Sequence, residues 1–478
     1  MDKASAIARS YQFTPTDEQL VFCREMALFL SGQLDGNCFI LRGYAGTGKT
    51  TSVGALVKSL PVFGLRAILL APTGRAAKVM STYTGRKALT IHKKIYRKKS
   101  AVGTDMSFQL APNLAEHTLF IVDEASMIAD EMNVQSGSSL LRDLIEFVYN
   151  RKNCAVVFVG DTAQLPPVGS LDSPALNKDY MGSAFSLQVM AVELKEVVRQ
   201  EKKSGILANA TMLRKLIGTE NKEAPDKVSL PKFATKNFKD IFRMNGVKLV
   251  EGLEYAYNKF GIENSLVVCR SNKSANVYNQ QIRARLLYRE EELTGGDQIM
   301  VVKNNYFWLP ENESAAFIAN GDMAVIKRVR GIEERYGFRF TEVTLEFLDF
   351  PEAGEITCKV MMDTLTAETP NLSYADSNKL FDELNEDYSH LSNKRERFLA
   401  IKDDPYYNAL QIKFAYAVTC HKAQGGQWDA VFVDQGYLTD EMVDLDFLRW
   451  LYTGITRAKK ELFLVNFAQS LFVSPAEE

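Results

Sequence analysis

Four short, unbroken apolar runs fall within the first 160 residues, and they restrict the fold more than any other feature of the chain. Cys38-Phe39-Ile40-Leu41, Ala67-Ile68-Leu69-Leu70, Leu119-Phe120-Ile121-Val122 and Val156-Val157-Phe158-Val159 each reach a Gly, Pro or Asp within two residues. A strand that is apolar throughout must be covered on both faces, which a parallel sheet flanked by helices achieves. Helical stretches separate the runs. Ligands of such sheets bind beyond the carboxyl ends of the strands. Each polar terminus is therefore a candidate site before any motif is considered.

A second series follows. Leu266-Val267-Val268, Tyr416-Ala417-Val418, Ala430-Val431-Phe432-Val433 and Leu462-Phe463-Leu464-Val465 suggest another sheet of the same kind. Between them the texture changes. Residues 321–350 alternate, as in Thr341-Glu342-Val343-Thr344-Leu345-Glu346-Phe347, and period-two alternation predicts half-exposed antiparallel strands. A small β-barrel inserted in the second α/β domain fits this. Residues 373–402 then read as helix, with Leu380, Leu384, Tyr388 and Leu391 on one face between Pro370 and Pro405. The expected class is α/β. The expected first domain is 1–190, and the second is 191–325 with 411–478. The barrel with its helical extension is expected over 326–410.

Composition removes several alternatives. The 478 residues carry 57 Lys and Arg against 59 Asp and Glu, a net charge of −2. That balance excludes a binder whose affinity comes from bulk positive charge, while allowing a local basic channel. Hydrophobic residues at 46% and charged residues at 24% exclude a disordered chain. No apolar run approaches the ~18 residues of a membrane span, and residues 1–11 contain no secretory h-region. A cytoplasmic protein with no membrane partner is expected. The six cysteines form no Cys-x-x-Cys pair and share no ligand spacing with the four histidines, so buried thiols are expected rather than zinc.

The first apolar run leads into Gly43-Tyr44-Ala45-Gly46-Thr47-Gly48-Lys49-Thr50, which matches G-x-x-x-x-G-K-[ST] between a strand and a helix. Its glycines let backbone N–H groups wrap around phosphate oxygens, and the helix N-terminus adds a positive dipole. Gly43, Ala45, Gly46, Thr47, Gly48, Lys49, Thr50 and Thr51 are the expected nucleotide contacts. Lys49 would reach the β- and γ-phosphates, and the Thr50 hydroxyl would sit on Mg²⁺. The third run ends in Asp123-Glu124. Asp123 would bind Mg²⁺ directly or through water, and Glu124 would orient or deprotonate the attacking water. Gln164, in Gly160-Asp161-Thr162-Ala163-Gln164-Leu165-Pro166-Pro167, could hydrogen-bond the γ-phosphate or the water, although by spacing alone a simple Pro-rich turn is the favoured reading.

Other residues suit a polymer. Pro72 and Thr73 form a strand-to-helix turn whose hydroxyl and amides suit a backbone phosphate, or whose Thr simply caps the helix. His92 precedes Lys93-Lys94-Ile95-Tyr96-Arg97-Lys98-Lys99, a basic cluster holding an aromatic. Single-strand channels combine charge for phosphates with rings for bases, which makes His92 and Lys94 candidates.

Residues 43–50, 71–77, 123–125, 160–166, 198–200, 419–425 and 452–458 occur in one order. That order resembles the motif set of superfamily 1 DNA helicases, and within them the RecD-like and Dda-like branch, which moves 5′ to 3′. The resemblance implies two RecA-like domains with ATP in the cleft between them. Gln19 matches the family's adenine-reading glutamine, since a carboxamide pairs with both N6 and N7 of adenine. Arg199 and Arg457 match the two arginines that the second domain supplies to the γ-phosphate. Thr419, His421 and Lys422 match the segment that touches both the strand and the ATP cleft; His421 can equally brace its own loop. Trp428, just beyond, is expected to pack. Residues 93–117 resemble the β-hairpin pin that separates strands, with Phe108 near a tip that lacks an aromatic. The barrel resembles the inserted Src-homology type. The helical extension resembles one that braces the pin.

The resemblance implies an ATP-dependent, 5′-to-3′ DNA helicase acting in replication or repair in the cytoplasm of a bacterial or phage-infected cell, with Mg²⁺ and ATP as cofactors. Its expected partners are single-stranded DNA, DNA forks and single-strand-binding or replication proteins, and it is expected to be a monomer. The tip composition motivates an alternative, a single-strand translocase that strips bound proteins and opens duplex poorly. Arg199, Arg457 and residues 419–425 argue against a small-molecule P-loop kinase. RNA shares the phosphate and stacking chemistry, so the residues themselves leave it open.

Overall fold

The computed structural model describes residues 3–98, 108–131, 139–197, 204–223, 229–309, 318–348 and 354–473. The first sheet contains β1 (Asn37–Gly43), β2 (Arg66–Ala71), β3 (Ala88–Thr90), β6 (Thr118–Val122), β7 (Cys154–Gly160) and β8 (Gln188–Leu194). A two-stranded hairpin, β4 (Tyr96–Lys98) and β5 (Phe108–Leu110), branches from it. The sheet is parallel throughout, in the order β3-β2-β6-β7-β1-β8. Alternate residues of β1 serve opposite faces: Phe39 and Leu41 join one apolar cluster, Cys38 and Ile40 the other. The four apolar runs are four of the six strands. The expected boundary places residues 191–194 of β8 in the second domain. β8 pairs with β1 from Asn37↔Gln188 to Gly43↔Leu194, so the expected boundary at 190 falls inside a strand. β8 is an edge strand whose burial is partial, and it lacks the unbroken apolar run of its neighbours.

The second parallel sheet has the order β16-β10-β17-β18-β9. Its members are β9 (Ile241–Met244), β10 (Ser265–Cys269), β16 (Ala417–Thr419), β17 (Trp428–Asp434) and β18 (Ala458–Val465). Between β10 and β16 lies a closed barrel of β11 (Gln298–Val301), β12 (Met323–Arg335), β13 (Phe338–Phe347), β14 (Glu355–Met361) and β15 (Leu410–Phe414). The alternating β13 carries the burial pattern expected of it. The barrel extends beyond 326–410 at both ends. β11 and β15 are short and buried at every residue, so they lack the alternation by which a barrel strand shows itself in sequence.

The extension is two helices, Tyr374–Asp387 and Lys394–Lys402, rather than one. Ser373 caps the first by accepting from Asp376 N–H at 3.0 Å. Leu380, Leu384 and Ile401 pack with Phe338 and Phe340 of the barrel, and Tyr336 Oη donates to Asp387 at 2.7 Å. The bracing recorded here therefore falls on the barrel hairpin. The expected tip of the pin lies outside the described residues. All six cysteines are buried and unpaired in disulfides. Among the described residues no helix is long and apolar enough to cross a membrane.

Candidate active site

The loop after β1 is shaped by what cannot fit. A Cβ on Gly43 would stand 2.8 Å from Thr47 Oγ1 and 2.9 Å from Lys49 Cγ. Gly48 has φ +83° and caps the Lys49–Ser59 helix with no side-chain bond, so that helix's first amides are left for another acceptor. Lys49 Nζ donates to the carbonyls of Gly43 (2.6 Å) and Tyr44 (3.0 Å), and Thr47 Oγ1 donates to Tyr44 O at 2.8 Å. Thr50 and Thr51 lie in the first turn of that helix.

β6 delivers the two carboxylates. Asp123 Oδ2 accepts from Tyr83 Oη at 2.7 Å and Oδ1 from the Glu124 N–H at 2.9 Å. Glu124 then adopts φ +50°, a left-handed conformation rare for a side chain of this kind. It sends the two neighbouring carboxylates to different places. Burial raises the Glu124 pKa above the ordinary carboxylate range. The Arg457 guanidinium opposes this, and Asp123 reinforces it. Arg457 Nη1 stands 4.0 Å from Glu124 Oε1, across the seam between the two sheets. Arg457 is 3% exposed and held by three acceptors: Thr453 O (3.0 Å), Gly426 O (3.2 Å) and Thr456 Oγ1 (3.2 Å).

Two further candidate residues are buried carboxamides, Gln19 and Gln164. Gln19 and Thr16 form a capping box at the start of the Asp17–Ser31 helix: Thr16 Oγ1 accepts from Gln19 N–H at 3.3 Å, and Gln19 Oε1 from Thr16 N–H at 3.0 Å. Gln19 Nε2 and Gln164 Oε1 are buried with no hydrogen-bond partner. An unpaired buried donor at Gln19 and an uncapped Gly-rich helix start are features a purine nucleotide polyphosphate satisfies, while the unpaired Gln164 acceptor suits a water molecule. The residues thus fit ATP. Arg199 lies outside the described residues.

On the polymer side, Thr73 Oγ1 caps the Gly74–Thr84 helix by accepting from Ala76 N–H at 3.2 Å, next to Pro72. A Cβ on Gly425 would lie 3.0 Å from that same Oγ1, so the turn after β2 meets the 419–425 segment of the other domain. Thr419 closes β16, and His421 follows with its pKa held low by partial burial. Lys422 donates to Asn320 Oδ1 of the barrel, and burial, with Lys413 nearby, pushes its pKa down to about 8. His92 is also held low by burial, 5.6 Å from the Tyr96 ring. Lys94 is half-buried beside it. Phe108 lies on β5, and its side chain is outside the described residues. Trp428 is 2% exposed beneath the Arg75 guanidinium at 4.2 Å, so it packs as expected.

Sequence reasoning passed over several residues here. Lys413, buried on β15 with a pKa pushed down to about 8, shares a cleft with Thr419 and Lys422. Arg214 stacks on the Tyr44 ring at 4.4 Å. Tyr452 lies inside a motif already noted, yet nothing in its spacing announces its contacts. A lysine within a strand, or a tyrosine within a helix, reads as ordinary until the fold brings its partners near.

Fold and site together define a P-loop enzyme with two RecA-like domains, in which the second contributes an arginine to the nucleotide cleft of the first. A family model described as AAA domain matches residues 30–224, and one described as UvrD-like helicase C-terminal domain matches 414–465. The ATP-dependent DNA helicase dda of Enterobacteria phage T4 is 25% identical over 89% of this chain and 93% of its own length. The ATP-dependent RecD2 DNA helicase of Deinococcus radiodurans is 25% identical over 92% of this chain and 48% of its own. An uncharacterized protein of Acanthamoeba polyphaga mimivirus is 21% identical over 89% of this chain and 94% of its own. A Bacteroides Pif1 helicase structure with ADP-AlF3 and ssDNA covers 97% of this chain and 95% of its own at 15% identity, with a TM-score of 0.48. Similarity to the dda and RecD2 DNA helicases along about nine-tenths of the chain agrees with the expected resemblance to superfamily 1 helicases.

Proposed function

We propose that this protein is an ATP-dependent DNA helicase that moves 5′ to 3′ along single-stranded DNA and separates duplex as the seam between its domains closes and opens. The observation that carries this is Arg457 of the second domain, 4.0 Å from Glu124 of the first, across the cleft that holds the P-loop. Bound Mg·ATP supplies a terminal phosphoryl group whose transfer to water releases the energy. Thr50 and Asp123 would hold the metal. Gln19 donates Nε2 to the base, and its remaining Oε1 lone pair accepts from it. Glu124 orients the water and takes its proton. Lys49, Arg457 and Arg199 stabilise charge on the phosphoryl oxygens, a task worth about 10³–10⁵ in rate for an arginine elsewhere. Gln164 senses the terminal phosphate. These arginines favour the closed seam while that phosphate is attached, and its loss removes the differential affinity. Pro72, Thr73, His92, Lys94 and Phe108 on one domain and Thr419, His421 and Lys422 on the other form the two gripping surfaces that the cycle moves apart.

Forked duplexes carrying only a 5′ or only a 3′ single-stranded tail test the proposal. Unwinding of the 5′-tailed fork alone is the expected result. Unwinding of the 3′-tailed fork alone overturns the polarity. Removal of a bound protein without opening either fork favours the translocase.

Lys422 adds a pH dependence. Its lowered pKa keeps the ammonium below about pH 8 and loses it above. Affinity for an oligothymidylate strand should therefore fall as pH rises through about 8. Lys422→Arg, whose charge persists at every accessible pH, should flatten that fall in a fluorescence-anisotropy titration. Lys422→Ala should lower the salt slope of binding by about one.

A further inference from the structure

The loop leaving β7 is covalently part of the first domain and touches it at Gly169, beside Glu131, but its side-chain hydrogen bonds at Asp161, Leu165 and Leu171 run to the second. Ala163 and Leu165 are 2% and 5% exposed and lie in the apolar cluster of Ile206, Leu448 and Leu451. Leu165 donates its N–H to Thr453 Oγ1 at 2.8 Å, and its carbonyl accepts from Gln424 Nε2 at 2.8 Å. Asp161 Oδ2 accepts from Tyr452 Oη at 2.6 Å. Farther along, Arg449 Nη1 donates to Leu171 O at 2.6 Å, and Nη2 lies 3.3 Å from Asp172 Oδ1. Arg449, Tyr452 and Thr453 are i, i+3 and i+4 on the Leu445–Ile455 helix, so they share one face. That face holds the loop at three points.

Tyr452 does one thing more. Its hydroxyl accepts the Ala45 N–H of the P-loop at 2.9 Å. A phenol has one proton to give, and here it goes to Asp161 while a lone pair faces Ala45. The ring is 1% exposed, so this small network is sheltered from water, where such bonds polarise one another.

We infer that residues 161–172 form a strap fastened to the second domain by the Arg449, Tyr452 and Thr453 face, with Tyr452 as the positioning residue that ties the strap to the P-loop. The strap stays on the second domain when the seam opens, while its root in β7 stays with the first sheet. A change in the loop around the phosphates that moves the Ala45 N–H alters the bond Tyr452 makes to Asp161, and so the seating of the strap. Its consequence for DNA-dependent turnover rests on the helicase proposal; its attachment does not.

Two substitutions test this, each read two ways. Tyr452→Phe removes one oxygen and keeps the ring that fills the core. Arg449→Gln removes the far fastening and lies away from the nucleotide contacts. Amide exchange of the peptide covering 161–172 should quicken about tenfold in each, the size of a lost bond to a charged group, while β7 stays protected. Stimulation of ATP turnover by an oligothymidylate strand should fall about tenfold in Arg449→Gln, with KM for ATP unchanged. Arg449→Lys, which restores a cation to the same carbonyl, should recover most of both. Unchanged exchange in both variants overturns the strap, and full stimulation in Arg449→Gln overturns its coupling role. A wild-type protein that the strand fails to stimulate overturns the helicase proposal instead, and the exchange comparison still decides the strap.

Discussion

Glu124→Gln should bind ATP as the wild type does and lose about 10³ in turnover, within the range for removing a positioned general base. The substitution keeps side-chain volume and hydrogen-bonding shape and removes only the charge and basicity. Arg457 keeps its three neutral acceptors, so the seam should survive. The sign of the pH effect follows from the raised pKa. Burial disfavours the carboxylate, so protonation disables the base at a higher pH than it would for an exposed glutamate. Wild-type kcat should therefore decline on its acid side above the ordinary carboxylate range, and Glu124→Gln should lack that limb. Single-turnover phosphate release across pH measures both. A Glu124→Gln enzyme with near-normal release would place the base on another residue.

Lys49→Ala should lose more than about 10² in ATP turnover, comparable with removing one preorganised donor to developing charge. Among the described residues Lys49 bonds to the carbonyls of Gly43 and Tyr44, and Thr47 independently ties that loop at Tyr44 O. The variant should therefore fold and retain the loop's course. Its affinity for single-stranded DNA should stay within about twofold, since phosphate contacts along a strand belong to other side chains. Steady-state turnover and strand-binding anisotropy on the same preparation separate the two effects. Near-normal turnover by Lys49→Ala would remove the P-loop from the chemistry.

Much of the architecture was legible because buried parallel strands leave an unmistakable trace. All four early apolar runs are strands of the first sheet, and the four later ones are strands of the second, whose fifth, β9, left no such run. The trace weakens where burial is partial or the element is short. The expected boundary at 190 splits β8, half-exposed at the edge, and the expected barrel at 326–410 leaves out β11 and all but the first residue of β15, both buried throughout. The P-loop and the Asp123-Glu124 pair stand out in the sequence because each is a run of residues adjacent in the chain.

Tasks shared between distant segments left no such trace. Nothing near Tyr452 in sequence indicates that its hydroxyl will meet Ala45 and Asp161, respectively 407 and 291 residues away. Nor does composition tell that Lys413 and Lys422 will share one cleft, each desolvated enough to titrate near pH 8. By itself the sequence determined what depends on neighbours along the chain: strand burial, the Gly-rich loop, the paired carboxylates and the motif order. Only the tertiary structure decided which groups face one another across the seam, how far Glu124 is desolvated, and to which domain the loop after β7 is fastened. Desolvation and hydrogen bonding act over a few ångströms of space, and folding alone determines which residues come that close.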